Sequence, residues 1–129
     1  MSLAWIRTGT LVCSGLLITA IGTFQMLQPI PAFGKWGIKL PQDVSILNEI
    51  RAQGSLLLCG GLIILSGIVS EAMSASAHAT ATLIFYGFFM GRVVSLVLDG
   101  KPSEPLVLGM KAEVVLGTAN AVFLASLVL

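Results

Sequence analysis

The sequence predicts an all-α, polytopic membrane protein, an antiparallel bundle of four transmembrane helices. Three observations lead there. Only 10% of the 129 residues are charged while 56% are hydrophobic, against roughly 25% charged in an ordinary soluble domain. Seven basic and six acidic residues are too few to cover a water-soluble globule of this size. The apolar residues also fall into four runs, each near the ~20 residues a helix needs to cross the hydrocarbon core. A chain this long holds one domain, and we expect the four runs to form it. The apolar excess excludes a disordered chain. A formal net charge of +1 excludes the footprint of a nucleic-acid binder.

The first run covers about 3–26. Arg7 near its start also fits a secretory signal; the expectation here is a retained transmembrane helix. The next segment holds Pro29, Pro31, Gly34, Gly37 and Pro41, which a helix does not cross unbroken. The second helix follows at about 46–70, opening on Asn48, Glu49, Arg51 and Gln53. The third is expected at about 78–98. The fourth runs over about 105–129, with Pro105 suited to a first helical turn. The links 71–77 and 99–104 are short, so consecutive helices lie antiparallel and adjacent. Small residues recur at helical spacing: Gly15, Thr19 and Gly22 in the first helix, Gly87, Gly91 and Ser95 in the third, Gly117 and Ala121 in the fourth. Such rows let backbones approach in lipid, and packing within one bundle is the simplest use for them.

Threading the chain through a bilayer sorts the charges. The side that holds the N-terminus, side A, carries Arg7, Glu71 and His78. Side B carries Lys35, Lys39, Asp43, Glu49, Arg51, Arg92, Asp99, Lys101, Glu104, Lys111 and Glu113. Arg92 lies about 10 Å below the end of its helix, and Glu113 about 12 Å into the next, at ~1.5 Å per residue. A lone charge at the bilayer centre costs about 2.5–3.5 kcal/mol, so matching depths on neighbouring helices predict an Arg92–Glu113 ion pair. Arg92, Ser95 and Asp99 share one helical face, and so do Glu113, Gly117 and Asn120. Glu49 and Arg51, two apart, point to nearly opposite faces, so at least one needs a partner on another helix. The candidate cluster is therefore Arg92 and Glu113 at the centre, Glu49, Arg51 and Asp99 at the rim, with Ser95 and Asn120 beside them. It reads either as an ion-pair network that fixes helix register or as a polar pocket open to side B. Two arginines there suit a carboxylate or phosphate.

Other chemistry finds little support. His78, the only histidine, is expected at the side-A interface; it has no second metal ligand near it in sequence. Cys13 and Cys59 fall near mid-membrane and read as packing residues, because thiol enzymes need exposed, activated thiolates. Trp5 and Trp36 suit the interfacial belts on opposite sides. Phe85, Tyr86, Phe88 and Phe89 pack or face lipid. Gly60-Gly61 precedes no lysine and makes no phosphate loop. No catalytic residue, metal or cofactor is expected. Lysine and arginine near the helix ends favour side B, which the positive-inside rule places in the cytoplasm.

Leu47-Asn-Glu-Ile-Arg-Ala52, Gly91-Arg-Val-Val-Ser-Leu96 with Asp99-Gly100, and Glu113 occur here in a characteristic order and spacing. On these the chain resembles, over nearly its whole length, a family of small bacterial four-helix membrane proteins catalogued as a domain of unknown function. The resemblance implies a four-helix integral membrane protein and supplies no activity. It also implies basic residues between the second and third helices, which would turn side A to the cytoplasm; this chain has Glu71 and His78 there instead. The reading that results is a non-catalytic, multi-pass protein of the bacterial inner membrane. Its expected partners are membrane lipids, a small amphipathic ligand, further copies of itself, or a larger membrane complex in which it is an accessory subunit. A small proton-coupled transporter acting as an oligomer through Glu113 or Glu49 is the alternative. An intramembrane enzyme, with a glutamate as acid or base and Arg92 stabilising an anion, ranks third.

Overall fold

The computed structural model describes residues 2–129. Helix α1 spans Leu3–Leu27, a short α2 spans Pro29–Lys35, and α3 spans Val44–Val69. A 3-10 turn at Glu71–Met73 leads into α4, Ser74–Leu98, and α5 covers Glu104–Val128. No strand occurs among the described residues. The four long helices are each long and apolar enough to cross a membrane, and leucines, valines and isoleucines cover their outer faces. In lipid such a surface is solvated rather than exposed, and helices satisfy every interior backbone group. The architecture is that of an integral membrane four-helix bundle.

Local chemistry explains the helix ends. Asp43 caps α3 by accepting from the Ile46 amide at 3.0 Å, the usual role of a short acidic side chain. Prolines sit in the first turns of α2 and α5, where no N–H is needed. Residues 29–35, expected as loop, form a helix because their prolines open that helix rather than interrupt it. Helix α4 starts four residues earlier than the expected 78, at Ser74, because the 3-10 turn makes the whole connection.

The bundle is two tight pairs. Helix α1 packs chiefly on α3, and α4 on α5, with α3 joining the pairs. Glycines set the first seam. A Cβ at Gly22 would stand 2.7 Å from the Gly54 carbonyl oxygen, and one at Gly54 2.6 Å from the Met26 amide nitrogen. Here backbone meets backbone, as the small-residue rows of α1 predict. The α4 row behaves otherwise: a Cβ at Gly87 or Gly91 meets nothing within 4 Å. Those glycines pack against no helix, contrary to expectation, because the pairs diverge on side B. On side A, Leu11, Ile64, Ala77 and Ala81 close the core, and an Arg7–Glu71 ion pair at 3.0 Å ties α1 to the α3–α4 turn.

Candidate functional site

Divergence of the helix pairs leaves a cleft of about 540 Å³ in the side-B half of the bundle. Ile18, Leu57 and Phe85 form its floor, and Gly87 and Gly91 widen one wall. Phe33, Trp36 and Ile38, from α2 and the segment after it, line its side-B end. That segment is held where the Ser103 hydroxyl donates to the Trp36 carbonyl. Trp36, expected in the interfacial belt, sits edge-on to Phe33 with ring centroids 5.1 Å apart. The lining is largely apolar.

The polar exceptions form two separate pairs, Arg92 with Glu113 and Gln25 with Gln53. Arg92 Nε donates to Glu113 Oε1 at 2.8 Å. The guanidinium also lies over the Phe88 ring, 5.7 Å from its centroid, a cation–π contact that orients its plane. Among the described residues Arg92 makes no other hydrogen bond, so both terminal nitrogens are left over on a side chain 29% exposed. Glu113 is buried, and its Oε2 has no hydrogen-bond partner among the described residues. Ser95, Gln25 and Gln53 complete the polar lining. Gln25 Nε2 donates to the Ile50 carbonyl at 3.1 Å and to Gln53 Oε1 at 2.9 Å. Buried Gln25 escaped the sequence reading; its place three residues after Gly22, on the face toward α3, was the available signal.

Residues 6–124 match a domain of unknown function, DUF4345. The chain belongs to that family. No curated protein and no solved structure matches it. The DUF4345 span takes in both α3 and α4 motifs, Arg92, Glu113 and the whole cleft.

Several expected members of the cluster stand elsewhere. Arg51 meets no carboxylate; its Nη1 donates to the carbonyls of Met26 at 2.6 Å and Leu27 at 3.0 Å. The end of α1 has free carbonyls, and position 31 is proline, so Leu27 lacks the amide donor four residues on. A cation at a helix C-terminus also complements its dipole. Glu49 is exposed at the start of α3 and pairs with nothing among the described residues. Asp99 ends α4 outside the cleft and accepts from Ser95 Oγ at 2.8 Å.

Asn120 belongs to a second polar group that the sequence reading missed. Its Nδ2 donates to Ser14 Oγ at 2.9 Å, and its Oδ1 lies 2.8 Å from His78 Nδ1. All three residues are fully buried. His78 is therefore a core residue, not an interfacial one: the earlier start of α4 carries it a full turn inside, where it stacks beside Phe123. Ser14, Asn120 and His78 join α1, α5 and α4 on the side-A half. Cys13 and Cys59 both point out of the bundle, which corrects their reading as packing residues. No group of three or more histidine, cysteine or acidic residues is placed to hold a metal among the described residues.

Proposed function

We propose that this is a non-catalytic protein of the bacterial inner membrane that binds a lipid or small amphipathic ligand in the side-B cleft, alone or as an accessory subunit of a membrane complex. Arg92 receives an anionic head, and the apolar floor receives a hydrocarbon tail. The observation that carries this reading is the unspent fork of Arg92: Glu113 takes only Nε, while carboxylates and phosphates match the terminal pair of nitrogens bidentately. Gln25 and Gln53, which also line the cleft, add hydrogen-bonding capacity. By the positive-inside count, side B faces the cytoplasm, so a ligand would enter from the inner leaflet past the Phe33–Ile38 segment.

Quenching of Trp36 by a brominated fatty acid tests the proposal, in a Trp5→Phe background so that one tryptophan reports. Saturable quenching is expected with the brominated acid, about tenfold weaker with the matching brominated alcohol, which cannot make the charge-assisted pair. Equal, non-saturating quenching by both would overturn it. Proton-coupled transport is the second reading, favoured by one observation: Glu113 is buried with an oxygen unpartnered among the described residues. It predicts pH-dependent flux in proteoliposomes that Glu113→Gln abolishes.

A further inference from the structure

A second site lies on the opposite side of the α4–α5 seam, facing the lipid. Phe89 and Leu96 of α4 and Val107 and Met110 of α5 line an open groove whose side-B end is marked by Lys101 and Lys111. The groove shares no residue with the cleft. Its floor is hydrocarbon, and its charge is unbalanced. Lys101 is paired with Glu104 at 2.8 Å, whose hydrogen bond holds the lysine ammonium protonated above the usual lysine range. Lys111 is exposed and makes no ion pair within contact distance among the described residues, though its charge also acts on the Glu104 carboxylate.

The position of Lys111 is informative. It lies seven residues past the first residue of α5, Glu104, hence about 10 Å along the helix, on a face that meets acyl chains. A cation there is costly unless it reaches the head groups or an anion. Helical side chains tilt toward the N-terminus of their helix, which for α5 is side B, and a four-carbon stem lets the ammonium snorkel that way. Lys101, Glu104 and Lys111 together carry one surplus positive charge. A second copy of the chain docked on this face would bring two more lysines against it. A phosphodiester with its acyl chain along the groove balances the charge and covers the hydrocarbon together.

We propose that the α4–α5 groove is a binding site for an anionic phospholipid, with the phosphate between Lys101 and Lys111 and one acyl chain along Phe89, Leu96 and Met110. The proposal does not depend on the function of the cleft.

Native mass spectrometry of the full chain in mild detergent, titrated with phosphatidylglycerol and with phosphatidylcholine of the same acyl chains, tests it. The wild type should retain phosphatidylglycerol preferentially. Lys111→Gln should reduce that preference about fivefold, the effect of one lysine near an anionic surface. Lys111→Arg should keep it, and so should Lys39→Gln, which removes a side-B cation that does not line the groove. Equal retention of the two lipids by the wild type would overturn the proposal. So would a preference that survives Lys111→Gln, which would assign the lipid to another site, or conversion to a dimer without lipid adducts, which would assign the face to a second copy.

Discussion

Replacing Arg92 with glutamine should destabilise the bundle more than replacing its partner. The two ends of the ion pair differ in exposure: the Arg92 side chain is 29% exposed and that of Glu113 11%. Arg92→Gln strands a carboxylate in a nearly closed site, where one oxygen already lacks a partner among the described residues. Removing one member of a buried pair costs about 3–5 kcal/mol. Glu113→Gln instead strands a guanidinium that borders an open cleft, and glutamine still offers an oxygen to Nε, so the expected loss is about 1–2 kcal/mol. The double variant leaves no charge behind and should recover a coupling of about 1–3 kcal/mol. Unfolding in mixed micelles with rising SDS, followed by tryptophan fluorescence, measures all four proteins. Single variants equal within about 0.5 kcal/mol, or a double variant whose loss equals their sum, would show that the two side chains are not a coupled, unequally buried pair.

Three further outcomes follow from the geometry. Gly22→Ala should cost about 1–3 kcal/mol in the same unfolding assay, because its Cβ meets the main chain of α3, whereas Gly91→Ala should be neutral or stabilising by up to ~1 kcal/mol, since nothing lies within 4 Å. Asn120→Ala should cost about 1–3 kcal/mol by leaving both Ser14 and His78 without their partner, a loss read as a lower SDS midpoint. Arg51→Ala should loosen the end of α1 by about 1 kcal/mol, while Glu49→Gln should leave stability unchanged; hydrogen exchange at the amides after Leu27 distinguishes them.

The parts of this arrangement that could be read from the chain are those governed by period and length. Four apolar runs gave four helices with boundaries shifted by a few residues. Equal depths on adjacent helices joined Arg92 to Glu113, because helix rise and a short connection leave few other placements. The cluster around that pair was not legible as a whole. Arg51 has the right charge for it, yet the unsatisfied carbonyls before Pro29 and Pro31 are nearer, and helix-end capping has no spacing signature across two helices. His78 depended on where the α3–α4 turn ends, and four residues there move a side chain from head groups to core. The Gly87–Gly91 row shows why a small-residue motif does not name its use: the same spacing that brings α1 and α3 into backbone contact lines a cleft in α4, where no helix approaches. Asn120 shares a helical face with Glu113, but seven residues of rise separate the two and give them different partners on α4, His78 and Arg92.

The proposed cleft function rests on Arg92 holding its outer nitrogens for an anionic, tailed ligand. Native mass spectrometry of the chain extracted gently from its own membrane tests this most directly. In a Lys111→Gln background, which weakens the phospholipid site proposed for the α4–α5 groove, the predicted spectrum shows an adduct in the mass range of a lipid or fatty acid that is lost on adding Arg92→Gln. A Lys111→Gln protein free of any adduct, or one whose adduct is indifferent to the loss of the guanidinium, would contradict it.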